Sequence, residues 1–178
     1  MKDFESYDWK GITYPANYIR SIFEFAQGGQ FKNGLEIGFD QGASALAFLR
    51  ACPDAHLKSY DVGECIEGVG RVEEVRDRLE FVIGDSRELL KTAEGQYDYI
   101  YIDGDHLYDA VRQDLFNCDK LLAKGGFIVV DDCDPNHSHF GVHRAVEEFK
   151  SNMGYVSQPL QGSSSCAVVL TKIFNGEN

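Results

Sequence analysis

Short apolar runs alternate with amphipathic segments along most of the chain. The apolar runs predict strands at residues 34–38, 57–61, 79–84, 97–103 and 127–131. Segments with apolar residues at helical spacing predict helices at residues 43–51, 66–76, 86–93, 108–122 and 142–152. Strands that alternate with helices in this way predict an α/β fold, with a parallel sheet, right-handed crossovers and helices on both faces.

The two ends of the chain depart from this alternation. Residues 154–160 and 165–172 are strand-like runs with no helical segment between them, so we expect them to pair as an antiparallel hairpin. Residues 17–26 have a helical pattern and are expected to pack over one end of the sheet. We therefore predict a single domain over residues 1–178, with an N-terminal helical segment (1–32) over the site and a core (33–178).

Every one of the five predicted parallel strands has an acidic residue at or near its carboxyl end. These residues are Glu36, Asp61, Asp85, Asp103 and Asp131. Aspartate is common where a chain turns, so each one alone indicates only a turn. Ligands of open parallel sheets, however, bind beyond the carboxyl ends of the strands. Five acids at the same edge therefore predict a binding site there.

The turn after the first strand indicates what kind of ligand binds. Gly38 and Gly42 bracket this turn, and the absence of a side chain permits close approach of a ligand. The turn is not G-x-G-x-x-G and the chain has no G-K-[ST], which disfavours a standard dinucleotide site and a nucleoside triphosphate site. A carboxylate such as Asp61, at the end of the second strand, can accept both hydroxyls of a ribose. The pair Asp85-Ser86 is placed to reach an adenine edge.

Composition and charge limit the kinds of partner and compartment that the sequence predicts. The formal net charge of -12 disfavours nucleic acid and anionic membranes. The chain has no apolar run near the roughly 20 residues of a membrane span, and its polar N-terminus does not resemble a secretory signal. Five scattered cysteines without a C-x-x-C motif predict reduced thiols in a cytoplasmic protein.

The ordered motifs resemble those of class I S-adenosylmethionine (SAM)-dependent methyltransferases, over roughly residues 34–172. The matching features are E-x-G-x-x-x-G-x-S, an acid that ends the second strand, and GDS after the third. The resemblance implies a Rossmann-like, doubly wound, mostly parallel seven-stranded sheet of order 3-2-1-4-5-7-6 with the antiparallel hairpin at its end. It also implies a SAM site formed by Glu36, Gly38, Phe39, Gly42, Ser44, Asp61, Asp85, Ser86 and Asp103.

The same resemblance implies a role for each part of that site. Gly38 and Gly42 would line the methionine part, and Glu36 would fix the loop and the amino-acid end. Asp61 would hold the ribose hydroxyls, and Asp85-Ser86 would lie beside the adenine.

Two further stretches narrow the resemblance to small O-methyltransferases. Residues 102–115 (IDGDHLYDAVRQDL) and 121–134 (LLAKGGFIVVDDCD) resemble the macrocin type and, more distantly, the catechol and caffeoyl-CoA types. The resemblance implies a divalent cation, Mg²⁺ first among them, held by Asp103, Asp131 and Asp132. The catechol type has Asn where this chain has Asp132, so the third ligand differs. By the macrocin pattern, His106 is the general base.

The chemistry of these residues agrees with that implication. Carboxylate oxygens are suitable ligands for Mg²⁺, and a bound cation both offsets their mutual repulsion and lowers the pKa of an acceptor hydroxyl. His106, with an ordinary pKa of about 6.5, can accept the released proton at neutral pH. We therefore expect O-methylation of a small hydroxylated molecule, a sugar or a phenol.

Several residues have alternative interpretations. Asp131 and Asp132 point to opposite sides of an extended strand, so both ligate a cation only if the chain bends there. His106 is equally well placed to cap a helix or to hydrogen-bond a substrate. Asp105 is interpreted as a turn residue. Three further histidines are solvated loop residues or part of an acceptor pocket, rather than a zinc site: His137, His139 and His143.

The N-terminal aromatic residues and the general function also have alternatives. The aromatic group packs against the core, covers the site as a lid, or forms a homodimer contact; it consists of Tyr7, Trp9, Tyr14 and Tyr18. A non-catalytic SAM- or metal-binding module would have the same motifs. A nicotinamide-binding oxidoreductase is disfavoured by the missing third glycine and by the set of carboxylates.

Overall fold

A computed structural model describes residues 2–136 and 140–173. The strands are β1 (Asn33–Ile37), β2 (His56–Asp61), β3 (Leu79–Ile83), β4 (Tyr97–Ile102), β5 (Leu122–Val130), β6 (Tyr155–Pro159) and β7 (Val168–Lys172). The helices are α1 (Ala16–Gly29), α2 (Ala43–Ala51), α3 (Ile66–Arg71), α4 (Ser86–Leu89), α5 (Tyr108–Leu121) and α6 (Phe140–Met153). Two 3₁₀ turns cover Phe4–Ser6 and Glu73–Arg78.

The seven strands form one sheet in the order β3-β2-β1-β4-β5-β7-β6. Strands β1 to β5 are parallel, β7 is antiparallel to β5, and β6 is antiparallel to β7. The predicted strand order and the C-terminal hairpin are therefore confirmed. Since the connections run outward in opposite directions from β1 and β4, a crevice opens between the carboxyl ends of these two strands.

Hydrophobic cores cover both faces of the sheet because side chains alternate along each strand. In β4, Tyr99 and Tyr101 face the core shared with α1 and α2, whereas Ile100 and Ile102 face the core shared with α5 and α6. The apolar residues of α5, among them Val111, Leu115 and Cys118, lie in the second of these cores. Strands that are buried on both faces leave their carboxyl ends as the place where polar groups can gather.

Two helices are shorter than their sequence patterns predict. The predicted helix at 66–76 is α3 followed by a 3₁₀ turn, and the predicted helix at 86–93 ends at Leu89. In α3, a Cβ on Gly68 would lie 2.4 Å from the carbonyl oxygen of Asp40. The glycine thus allows α3 to pack closely against the first loop, but glycine also weakens a helix.

Strand β5 begins five residues earlier than its apolar run. Leu122 already pairs with Tyr97, and the register shifts before Phe127 pairs with Tyr99. Gly125 lies within this stretch at φ +82°, a conformation that favours glycine. The Lys-Gly-Gly segment is therefore an irregular part of the strand rather than a connecting loop.

The start of the chain packs on the face that carries α1 and α2. Trp9 stacks on Phe4, and the Arg50 guanidinium lies 4.5 Å from the Trp9 ring and forms an ion pair with Glu74. Among residues 2–136 and 140–173, none of the helices has the length and apolar character needed to cross a membrane.

Candidate functional site

A cavity of about 480 Å³ lies beyond the carboxyl ends of β1 to β4. Five of the residues predicted for the cofactor site line this cavity: Gly38, Asp61, Asp85, Ser86 and Asp103. Further lining residues include Asp40, Val62, Arg87, Asp105, Ala110 and Asp114. Three of the five strand-end acids, Asp61, Asp85 and Asp103, therefore share one cavity although they are far apart in sequence.

Gly38 permits the close contact between the first loop and β4. It has φ +90°, and a Cβ there would lie 2.0 Å from the carbonyl oxygen of Asp103. No other residue fits without displacing the backbone at that point. Gly42, at φ +69°, immediately precedes α2 and lines neither this cavity nor the smaller one described below. It therefore shapes the loop through its backbone conformation.

Asp61 fixes the first loop from the end of β2. Its Oδ2 accepts hydrogen bonds from the backbone N–H of Phe39 and of Asp40, and its Oδ1 accepts one from Gly63. Burial alone would raise the pKa of Asp61, but these backbone hydrogen bonds outweigh it and hold the pKa below its ordinary value. The side chain is therefore ionised at neutral pH, and Oδ1, which accepts one backbone hydrogen bond, can accept another from a ligand.

Glu36 lies behind the first loop and lines neither cavity. It is 1% exposed, and its two oxygens accept hydrogen bonds of 2.5 Å from the hydroxyls of Ser44 and Ser59. Burial raises its pKa to about 7. Glu36 thus ties α2 to β2 and acts on the site through Ser44.

A second, smaller cavity of about 150 Å³ adjoins the first loop. Its lining includes Tyr14, Tyr18, Gly38, Phe39, Ser44, Asp103 and His106. Tyr14 stacks on Tyr18 with ring centroids 5.1 Å apart, and the Tyr14 hydroxyl donates a hydrogen bond to Asp40. The N-terminal aromatic group is therefore divided, because Tyr7 and Trp9 pack on the core whereas Tyr14 and Tyr18 line the site. Asp103 lines both cavities.

Three residues beside Asp103 could hold a metal ion. Asp103, His106 and Asp132 each present one ligand atom, and these atoms lie within 4.8 Å of one another. His106 Nε2 lies 3.6 Å from Asp103 Oδ1 and 3.3 Å from Asp132 Oδ2. Asp132 has φ +52°, so the chain bends directly after β5, and this bend brings the Asp132 carboxylate to the others.

Asp131, the third predicted carboxylate ligand, is not one of these three residues. It is 4% exposed, its Oδ2 accepts a hydrogen bond from the Tyr101 hydroxyl, and its Oδ1 accepts one from the Asp132 N–H. The Tyr101 hydroxyl is also 2.8 Å from that of Tyr18, which lies 3.3 Å from Asp103 Oδ2. Two buried phenols therefore connect the acids at the ends of β4 and β5.

The carboxylates of Asp103 and Asp131 hold protons more tightly than usual. Burial raises the pKa of Asp103 to about 6, a shift that is opposed by the His106 hydrogen bond and increased by the charges of Asp131 and Asp132. Burial likewise raises the pKa of Asp131. The hydrogen bond to Asp103 raises the pKa of His106, although burial opposes this shift. Without a cation, the cluster carries an excess of negative charge.

Arg87 pairs with Asp85 on the side of the larger cavity where the adenine is predicted to lie. Its guanidinium binds Asp85 through Nε at 2.9 Å and Nη2 at 2.7 Å, and Nη1 lies 3.9 Å from Asp105 Oδ2. The side-chain hydrogen bond with Arg87 lowers the pKa of Asp85. The Asp85 charge is therefore already paired, and Asp105 contributes to the wall as well as to its turn.

Asp114 is a lining residue that the sequence analysis did not identify. It lies on α5, is 2% exposed, and accepts a hydrogen bond of 2.8 Å from the Ser86 hydroxyl. Burial raises its pKa to about 6. A signal was present in the sequence, since position 114 falls within the apolar stripe of Val111, Leu115 and Cys118, where a carboxylate needs a specific reason.

Of the other predicted candidates, His137 and His139 lie outside the described residues. His143 is half-buried on α6.

The larger cavity is strongly anionic. Six aspartates and a single arginine line it: Asp40, Asp61, Asp85, Asp103, Asp105, Asp114 and Arg87. Concentrated negative charge of this kind attracts a cationic ligand and repels phosphate groups. The charge therefore disfavours nucleotides that carry a pyrophosphate, including nicotinamide dinucleotides.

Comparisons with known proteins place the chain in a family context. A family model described as a methyltransferase domain matches residues 35–133. The chain is 30% identical over 118 residues to the O-methyltransferase hkm8 of Aspergillus hancockii. That match covers 62% of this chain and only 46% of the relative's length.

Solved structures with the same fold include two methyltransferases. The SAH-bound methyltransferase PaMTH1 of Podospora anserina superposes with a TM-score of 0.73 at 19% identity, covering 92% of this chain and 80% of that one. The O-methyltransferase TomG of Streptomyces achromogenes, in complex with SAM, gives a TM-score of 0.71 at 21% identity, covering 93% and 83%.

Proposed function

The chain belongs to a family of methyltransferase domains, and from this premise we propose that it transfers the methyl group of SAM to a hydroxyl of a small molecule with the help of a divalent cation. Asp103 carries the proposal, because it lines both cavities and also lies 3.6 Å from His106. The donor, the acceptor and the proton-accepting group can therefore meet at one carboxylate.

The charge of the larger cavity supports SAM as the ligand. SAM carries a sulfonium and an ammonium group and has no phosphate, which matches a hollow lined by six aspartates. Asp61, whose Oδ1 can accept a further hydrogen bond, is proposed to hold the ribose hydroxyls. Ser44, in the smaller cavity beside Gly38 and Phe39, is proposed to adjoin the methionine end.

The arrangement of Asp103, Asp132 and His106 fits a divalent cation. Their ligand atoms lie within 4.8 Å of one another. Burial raises the pKa of Asp103, and the negative charges of Asp131 and Asp132, which a cation would offset, add to that shift. We propose Asp103 and Asp132 as the carboxylate ligands, with Asp131 held aside by Tyr101. When bound there, a cation such as Mg²⁺ would lower the pKa of an acceptor hydroxyl.

The chain's own residues would then perform the transfer. His106 is proposed to take the acceptor's hydroxyl proton at Nε2. The oxygen lone pair forms the new C–O bond, and the electrons of the C–S bond return to sulfur, which loses its positive charge. The contact of Gly38 with the Asp103 carbonyl holds the donor loop against β4. The remaining contribution is the alignment of donor and acceptor.

The N-terminal segment is proposed to be part of the same functional unit. Tyr14 and Tyr18 line the smaller cavity, and Tyr18 lies within reach of Asp103. We therefore propose that residues 1–178 act as one domain, in which the segment before β1 closes the site.

Methyl transfer from labelled SAM to a panel of phenols and sugars, with Mg²⁺ or with EDTA, tests the proposal. We expect transfer that needs the cation, and Asp132→Ala, which removes the ligand oxygen, should reduce it at least about 100-fold while the affinity for S-adenosylhomocysteine (SAH) changes less than about threefold. Asp134→Ala, two residues away, is the matched control and should retain activity. Transfer that EDTA does not affect would remove the cation from the mechanism. Binding of SAH without transfer to any acceptor would instead favour a non-catalytic module.

A further inference from the structure

The wall of the larger cavity between α4 and α5 contains a carboxylate, that of Asp114, which has no part in the proposed transfer. Asp114 is 2% exposed, yet it lines the cavity, and the only hydrogen bond that the described residues make to it comes from the Ser86 hydroxyl to Oδ1. Its Oδ2 is therefore an acceptor without a donor among the described residues. Because the side chain lines the cavity, a ligand bound there can supply the donor that this carboxylate oxygen lacks.

The neighbouring carboxylate is less available. Asp85 receives both a side-chain and a backbone hydrogen bond from Arg87, and its guanidinium partner neutralises its charge. Arg87 also lies near Asp105, which draws the guanidinium to the cavity edge. Of the two acids beside Ser86, Asp114 is thus the buried one and the one without a counter-charge in direct contact.

The residues that line the cavity leave room for a flat base at this wall. Asp61, at the end of β2, is the proposed ribose acceptor, and Val62, Ala110 and Ser86 line the same cavity. Val62 is 76% exposed, although it is apolar, and offers a surface on which a ring can lie. A purine bound between these residues would turn one polar edge toward Asp114.

We infer that Asp114, oriented by Ser86, is the residue that distinguishes adenine from other purines by accepting a hydrogen bond from the 6-amino group. This inference rests on the proposed function, since it assumes that an adenosyl ligand occupies the cavity. Adenine presents an N–H donor at position 6, whereas hypoxanthine presents an oxygen acceptor, which a carboxylate repels. Sites that hydrogen-bond a ligand group reject analogues that lack it.

Calorimetric titration with three ligands tests the inference on the wild-type chain. The ligands are SAH, the analogue with hypoxanthine in place of adenine, and the analogue with unsubstituted purine. A hydrogen bond to a charged group predicts that SAH binds about 10- to 100-fold more tightly than the purine analogue. The hypoxanthine analogue should bind more weakly still. Equal binding of all three would overturn the inference and leave the proposed function intact.

The variant Asp114→Asn tests whether this residue causes the preference for adenine over hypoxanthine. An amide can turn either its oxygen or its nitrogen toward the ligand, while Ser86 donates to or accepts from the other atom. The variant should keep SAH affinity within about tenfold, gain affinity for the hypoxanthine analogue, and lower the preference between the two below about threefold. Unchanged selectivity in this variant contradicts the inference.

Asp85→Asn is the matched control, since it makes the same change in the other acid beside Ser86. We expect it to retain the wild-type preference for adenine. If Asp85→Asn removes the preference for adenine, Asp85 is the residue that recognises the 6-amino group and the inference is wrong. This result tests the inference even if Asp114→Asn fails to fold. If the wild-type chain binds none of the three ligands, both the inference and the proposed function fail.

Discussion

Replacing Glu36 with Gln should change the pH dependence of stability in a defined direction. Glu36 is 1% exposed and accepts hydrogen bonds from Ser44 and Ser59, so an amide of the same shape fits its place. Burial raises its pKa from the ordinary 4.5 to about 7 in the folded chain. Between these two values the folded state retains a proton that the unfolded state has released.

The sign of the effect follows from this difference. Because Glu36 keeps its proton in the folded state between pH 4.5 and about 7, its contribution to the free energy of unfolding falls as the pH rises through this interval and is level above it. The Gln variant lacks this contribution. Relative to wild type, it should therefore be more stable at alkaline pH than at acidic pH.

The two pKa values of Glu36, in the unfolded and in the folded chain, also give the size of the effect on the free energy of unfolding. An interval from 4.5 to about 7 corresponds to about 3 kcal/mol over its whole range. Between about pH 5.5 and about pH 8, where the acidic chain remains away from its isoelectric point, the difference between wild type and variant should change by about 2 kcal/mol.

Urea denaturation at a series of pH values measures this difference. Glu94→Gln is the control, since Glu94 is exposed in the loop before β4 and the same substitution there should leave the pH profile parallel to wild type. If Glu36→Gln also runs parallel to wild type, Glu36 is ionised in the folded chain and the argument from its burial is wrong.

Two further substitutions test the packing around the site. Gly38→Ala places a Cβ 2.0 Å from the Asp103 carbonyl at φ +90°, so we expect SAH affinity to fall at least about tenfold; Gly70→Ala, where nothing lies within 4 Å, should leave affinity unchanged in the same titration. Tyr18→Phe removes the hydroxyl between Tyr101 and Asp103. The free energy of unfolding, measured by urea denaturation, should fall by about 1 kcal/mol. An unchanged free energy of unfolding is expected only if a water molecule replaces that hydroxyl.

The periodicity of apolar residues was sufficient to predict the sheet. Strands such as β4 are buried on both faces, so their runs of Tyr and Ile have no competing interpretation, and the helix-free tail indicated the antiparallel hairpin. The predicted bounds of α3 and β5 are wrong because tertiary contacts override the local sequence pattern there. Gly68 packs on the Asp40 carbonyl and limits α3, and Gly125 at φ +82° keeps the irregular start of β5 within the sheet.

For the site, the sequence could predict which residues gather but not where each side chain points. Strand-end position was enough to bring Asp61, Asp85 and Asp103 to one cavity. The bend at Asp132 and the hydrogen bond from Tyr101 to Asp131 depend on packing between strands, which no local pattern encodes.

Asp114 was missed for a related reason. Its significance depends on Ser86, which is 28 positions away in the sequence and comes into contact only when α4 meets α5.

The buried acids at the carboxyl edge connect the stability of the fold to the ligand that it selects. Burial raises the pKa of Asp103 and of Asp114 to about 6, so each ionised carboxylate destabilises the ligand-free chain at neutral pH. Selection for stability alone would replace these groups with apolar ones. A ligand that brings positive charge to Asp103 and an N–H donor to Asp114 offsets both costs together, and its binding energy would come partly from relieving them. An adenosyl sulfonium has both features, whereas a phosphate-bearing nucleotide would add to the repulsion. The groups that limit the stability of the ligand-free chain are therefore the same ones that we propose to select its ligand.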